Sequence, residues 1–104
     1  MDDDPRLLLL HDDDNVLVAR ARIRGGERIT LSGQTIDIEA DVPIGHKLSR
    51  RIIRKGDKII KYGVPIGSAT ADIPVGRAVH VHNVASDYTP TYTLDTPVQE
   101  GGAR

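Results

Sequence analysis

The stretch GDKIIKYGVPIGSATADIPVG, residues 56–76, decides what kind of fold this chain can adopt. The segments between its glycines and prolines are too short for helices, and KIIKYG reads as a strand. GVPIG (63–67) and DIPVG (72–76) share a pattern that also occurs as DVPIG (41–45). In each copy proline fixes φ near −65° and removes an N–H donor, and glycine supplies the backbone angle that ends the segment. The spacings of 22 and then 9 residues argue against a regular solenoid.

Outward from this stretch, turn signals recur at Gly25-Gly26, Ser32-Gly33 and Lys55 to Asp57. TIDIEADV (35–42) alternates strictly, with Ile36, Ile38 and Ala40 on one side. VLVARARI and RAVHVHNV are also strand-like, while HKLSRRIIRKG is open between a strand and two turns of helix. The expectation is an all-β, or mostly β, fold: a barrel-like or clip-like sheet with bent strands and many hairpins. Leu7 to Leu10 reads as a buried first strand. The compact domain is expected over 7–85, between a flexible N-terminus (1–6) and a polar C-terminal tail (86–104).

Composition agrees. With 104 residues there is room for one domain and one modest core. The absence of Phe and Trp leaves that core to Ile, Val and Leu, which fit pleated strands. A net charge of −1 gives no global field toward nucleic acid or an anionic membrane, and stacking aromatics are scarce. Neither nucleic acid nor membrane is therefore an expected partner. Without cysteine there are no disulfides or thiolate metal sites, and no secretory leader is visible, so the cytoplasm is the expected compartment.

Several features can carry chemistry. In AVHVHN, strand alternation would put His80 and His82 on one face, about 6.6–7 Å apart, able to approach one metal ion or to act as acid and base. The plainer alternative is two half-exposed strand residues. His46 and Lys47 follow a proline-glycine turn. Residues 47–61 carry Lys47, Arg50, Arg51, Arg54, Lys55, Lys58 and Lys61 against Asp57 alone, a local net of +6 that can hold carboxylate, sulfonate or phosphate, or remain a solvated face. HDDDN (11–15) offers oxygen ligands for Mg²⁺ or Ca²⁺, but reads as an exposed acidic turn.

Taken in order, DNVLVA (14–19), VPIGHKL (42–48), GDKIIKYGVPIGSATADIPVG and VHVHN (79–83) resemble one family. It is the SAF-type domain of altronate and galactarate dehydratases, together with the small subunit of related two-chain enzymes that include sulfolactate sulfo-lyase. The resemblance implies a β-clip fold and participation in a lyase that eliminates water, or sulfite, from a hydroxy acid. It implies a sugar-acid substrate, a divalent metal such as iron or manganese, and a larger catalytic subunit that completes the site. By position, His46 and Lys47 match the family's GHK, Lys61 and Tyr62 its KYG, and His80, His82 and Asn83 its HxHN. The expected catalytic residues are then His46, Lys47, His80 and His82. Lys61, Tyr62, Asn83 and Arg50 are expected to bind substrate, and His80 and His82 to hold metal. Asp12 replaces a proline usual in the family, and Ser49 an alanine. A non-catalytic anion-binding or oligomerisation module, itself a homo-oligomer, is the alternative from another class.

Overall fold

A computed structural model describes residues 3–86; the C-terminal tail from Asp87 on lies outside the described residues. Nine short strands follow in order: β1 Leu7–Leu8, β2 Val16–Ala19, β3 Arg28–Leu31, β4 Gln34–Asp37, β5 Lys47–Ser49, β6 Lys58–Lys61, β7 Val64–Ala69, β8 Ala78–Val79 and β9 Val84–Ala85. All pairings are antiparallel, in sheets ordered β1-β2-β5-β8, β3-β4 and β6-β7-β9. The mostly β expectation holds. Among the described residues no helix is long and apolar enough to cross a membrane.

Individual strands are short, because proline-glycine corners cut each ribbon into pieces of two to six residues. The open segment HKLSRRIIRKG is extended: β5 is followed by an isolated bridge between Ile53 and Ile73. Leu7 is buried, but Leu8 and Leu9 are exposed, so the four-leucine run is not a buried strand. Ala40 is likewise exposed, since β4 ends at Asp37.

A tandem duplication underlies this arrangement. The bridge Ile23↔Val42 is repeated by Ile53↔Ile73, and hairpin β3-β4 by β6-β7. Backbone bonds recur pair for pair. Gly26 N donates to Ile38 O as Gly56 N does to Ala69 O, and Gly45 N to Ala19 O as Gly76 N does to Ser49 O. The first half of each unit is offset by 30 positions, the second by 31. The extra residue is the β7 bulge, where the register shifts from Ile59↔Gly67 to Ile60↔Pro65 and leaves Ile66 without an opposite number. The spacings of 22 and 9 that argued against a regular solenoid sum to one 31-residue period. DVPIG and DIPVG are equivalent corners, whereas GVPIG is a hairpin return.

Each unit builds its own core. One gathers Leu17, Ile23, Ile29, Leu31, Ile38, Val42 and Leu48, the other Val16, Ile53, Ile59, Ala69, Ile73 and Val79. Adjacent β2 residues point to opposite faces, so Leu17 serves one core and Val16 the other. Burial of such side chains, about 1.5–3 kcal/mol each, supplies the main driving force. Asp3 to Arg6, assigned to the flexible N-terminus, are tied in. Asp4 N donates to Thr30 O at 2.8 Å, Ser32 N donates to Asp3 Oδ1 at 2.8 Å, and Arg6 pairs with Asp4 and Glu27.

At Gly67 strand β9 passes so close that an added Cβ would lie 2.6 Å from Ala85 O and 2.8 Å from Val84 Cγ1. Because the first obstacle is backbone, Gly67→Ala is expected to cost about 1–3 kcal/mol and to release β9. Hydrogen exchange checks this: the Thr70 amide, which donates to Asn83 O at 2.9 Å, should lose protection while the Ile23 and Ile53 amides keep theirs.

Candidate functional site

Lys47 lies at the centre of the candidate residues. On β5 it pairs with Val18 on one side and Val79 on the other, so its side chain shares their face rather than that of buried Leu48. It borders two clefts. One, of about 240 Å³, is walled by Ile66, Val79, Val81 and Val84 with His80. The other, of about 80 Å³, is reached by His46 and by the Glu39 and Arg77 side chains, which pair at 3.0 Å. Burial lowers the Lys47 ammonium below its ordinary 10.5, and the nearby Lys61 charge lowers it further. Neither lysine has a carboxylate within ion-pair distance among the described residues.

Lys61 closes β6 and is followed by Tyr62-Gly63, a two-residue hairpin turn with φ of 57° and 71°. Positive φ at both positions matches the twist of the flanking strands, but it strains a tyrosine. The strain is held by Asp14, whose buried carboxylate accepts Tyr62 N–H at 3.0 Å and Gly63 N–H at 2.8 Å. Buried Asn15 continues the clamp, donating from Nδ2 to Lys58 O and accepting Ile60 N–H, both at 2.8 Å. This corrects the reading of HDDDN as an exposed acidic turn: His11, Asp12 and Asp13 are exposed, while Asp14 and Asn15 pin the KYG corner. The missed signal was positional, since two small polar side chains immediately precede an apolar strand and are able to bond to neighbouring backbone.

The HxH reading is also corrected. β8 ends at Val79, and residues 80–83 form a tight turn: Asn83 N donates to His80 O at 3.0 Å, and Asn83 Oδ1 accepts His80 N–H at 2.9 Å. Asn83 Nδ2 donates to Ala78 O at 2.8 Å. Strand alternation therefore does not put His80 and His82 side by side. Instead His80 stacks on His46, with ring centroids 5.0 Å apart and planes inclined by 21°. His82 is exposed, as is Tyr62. Arg50, expected at the substrate, turns its guanidinium to the carbonyls of Asp12 and Asp14 at 2.9 and 3.0 Å, which braces the clamp.

The structure thus brings His46, Lys47 and His80 together, bonds Asn83 to the His80 backbone, sets Lys61 at the KYG corner where its charge acts on Lys47, and ties Arg50 to the carbonyls that brace that corner. Among the described residues no three His, Asp or Glu side chains gather as metal ligands. Two stacked imidazoles fall short of a complete ligand set for iron or manganese, so these residues do not build a metal centre by themselves. What the arrangement can do is offer the Lys47 ammonium, with the charge of Lys61 acting on it, to an anion and exchange protons through an adjacent imidazole pair.

Comparison with known proteins identifies the domain. Residues 5–87 match the altronate/galactarate dehydratase SAF domain. An altronate dehydratase of Bacillus subtilis (strain 168) is 40% identical over 91 residues, covering 80% of this chain and 18% of that relative. One of Escherichia coli (strain K12) is 44% identical over 78 residues, 75% of this chain and 16% of the relative. The (2R)-sulfolactate sulfo-lyase subunit alpha of Chromohalobacter salexigens is 34% identical over 84 residues, 73% of this chain and 89% of that subunit. The chain spans less than a fifth of the length of the two altronate dehydratases.

Proposed function

This chain belongs to the altronate/galactarate dehydratase SAF-domain family, and on that premise we propose that it supplies one wall of an elimination site for a sugar acid, completed by a larger polypeptide. The observation that carries the reading is the pair Lys47 and Lys61: one half-buried ammonium group under the influence of another, with no carboxylate partner among the described residues, beside the His46–His80 stack. Folding would not favour such a pair for its own sake, because like charges and burial both work against it. An anionic ligand offsets both costs.

The reaction removes a proton from the carbon α to a carboxylate and expels hydroxide, as water, from the β-carbon. Negative charge then builds on the carboxylate oxygens as the enolate-like state forms, and Lys47 and Lys61 stabilise it at close range. His46 and His80 are placed to move the proton toward the departing oxygen. A divalent ion in such an enzyme would add Lewis-acid stabilisation of the same carboxylate. In this proposal the larger polypeptide provides most of its ligands, and no step assigned to this chain depends on it.

A second reading has its own support. The match to a sulfo-lyase subunit alpha covers most of both chains, and an ammonium pair suits a sulfonate as well as a carboxylate. In that case sulfite leaves instead of water. Affinity capture of the tagged chain from its native cells, followed by assay of the captured material, separates the two. Water elimination from altronate or galactarate supports the first reading, and sulfite release from sulfolactate the second. Capture of no larger polypeptide, together with neither product, overturns both and leaves a binding or oligomerisation module.

A further inference from the structure

His11 lies outside the residues assigned to the site, and its ring is oriented by the turn it sits in. Asp14 N donates to His11 O at 3.0 Å, closing a tight turn, and within it Asp13 N donates to His11 Nδ1 at 3.0 Å. The Asp13 carboxylate is more distant from the same nitrogen, at 3.8 Å. A ring nitrogen that accepts a backbone N–H carries no proton, so the neutral ring holds its hydrogen on Nε2.

The Nε2 edge of that ring lies over the KYG corner. A Cβ built on Gly63 would meet Cδ2, Cε1 and Nε2 of His11, each at 3.1 Å. A side chain at Gly63 would thus be disfavoured twice, by the positive φ and by a contact that makes the imidazole give by a few tenths of an ångström. The ring is half exposed, with 49% of the side chain accessible, and among the described residues its Nε2–H has no acceptor. Two residues before Gly63 stands Lys61, whose charge acts on Lys47.

A donor with a fixed tautomer, packed on the turn that follows Lys61 and facing solvent with its Nε2–H, is open to a ligand oxygen. We propose that His11 is a binding residue of the same site, its Nε2–H donating to an oxygen of the anion that Lys61 and Lys47 hold. This rests on the anion-binding reading of the lysine pair. The corresponding turn of the first repeat has Leu31 in place of Lys61 and Ser32 in place of Tyr62. There Asp3 makes the single bond to Ser32 N, so one fold carries both an ordinary hairpin corner and an equipped one.

Titration of the full ¹⁵N-labelled chain with tartrate, a small hydroxy dicarboxylate, tests the proposal by NMR. His11→Asn keeps an acceptor at the Nδ1 position but has no donor that reaches the Nε2 position; His11→Gln keeps an N–H near the Nε2 position and loses the acceptor at Nδ1. The expected result is a response of His11 Nε2 and of the Lys47 and Lys61 side chains in the wild type. Tartrate binding should then weaken about tenfold in His11→Asn and be largely kept in His11→Gln. The Tyr62 and Gly63 amide shifts report whether the corner is intact in each variant. If the lysines respond but His11 Nε2 does not, or if His11→Asn binds as the wild type does, His11 is a turn residue only and the lysine reading stands. If neither lysine responds, in the free chain or in the captured complex with its larger polypeptide, the anion-binding reading fails and the role of His11 fails with it.

Discussion

Asp14→Ala is expected to lower the unfolding free energy by about 2–5 kcal/mol, the largest single-residue loss outside the two cores. The carboxylate is fully buried and accepts two backbone N–H groups of one turn. Alanine leaves both donors unanswered at about 1–3 kcal/mol each. It also releases a tyrosine that adopts positive φ only because the turn is held. Against a typical stability of about 5–15 kcal/mol this loss approaches global unfolding. Asp3→Ala is the internal control, since its carboxylate makes the equivalent single bond to Ser32 N at an exposed position; a loss of about 1 kcal/mol or less is expected there. Urea denaturation at constant m reads both. An Asp14→Ala midpoint within error of the wild type would remove the physical basis for treating residues 11–15 as a clamp.

Lys47→Met should act in opposite directions on stability and activity. Folding lowers the pKa of this ammonium, first through burial and then through Lys61. Between the folded value and the unfolded one near 10.5 the unfolded chain binds more protons, so wild-type stability rises with pH across that window. Below it the charged group is a standing penalty that methionine lacks. The variant is therefore expected to be at least as stable as the wild type at neutral pH, with the wild type gaining on it as pH approaches 10.5. In the captured complex the same change should reduce kcat/KM by about 10²–10³, the usual cost of removing one preorganised charge-stabilising group. Lys55→Met, on an exposed turn, serves as the control and should leave both quantities near wild type. A Lys47→Met complex with undiminished turnover would show that the ammonium pair plays no part in the chemistry.

Much of this architecture was legible without coordinates. Frequent proline-glycine corners, short alternating segments and a core limited to Ile, Val and Leu pointed to a hairpin-rich β fold. Ordered motifs located the residues that the fold then gathers. The duplication was hidden by one inserted residue, because the β7 bulge at Ile66 breaks a 30-residue period into 30 and 31. Chemically different residues at equivalent positions concealed it further, with Leu31 matched to Lys61 and His46 to Arg77. The histidine pairing went wrong for a specific reason. Alternation predicts facing partners only while a strand continues, and Asn83 ends this one by capturing the His80 N–H.

Local sequence could determine what depends on few neighbours: where the backbone must turn, which segments extend, and that an unusual excess of cations lies between residues 47 and 61. Only the tertiary structure decided which of those cations are free. The Arg50 guanidinium is taken up by the carbonyls of Asp12 and Asp14, whereas Lys47 feels the charge of Lys61 and has no carboxylate within ion-pair distance among the described residues. It likewise chose His46 as the partner of His80 and turned Asp14 inward. These outcomes follow from long-range packing of two similar units. Hydrogen bonds and Coulomb interactions act over a few ångströms of space, however many residues of chain lie between the groups.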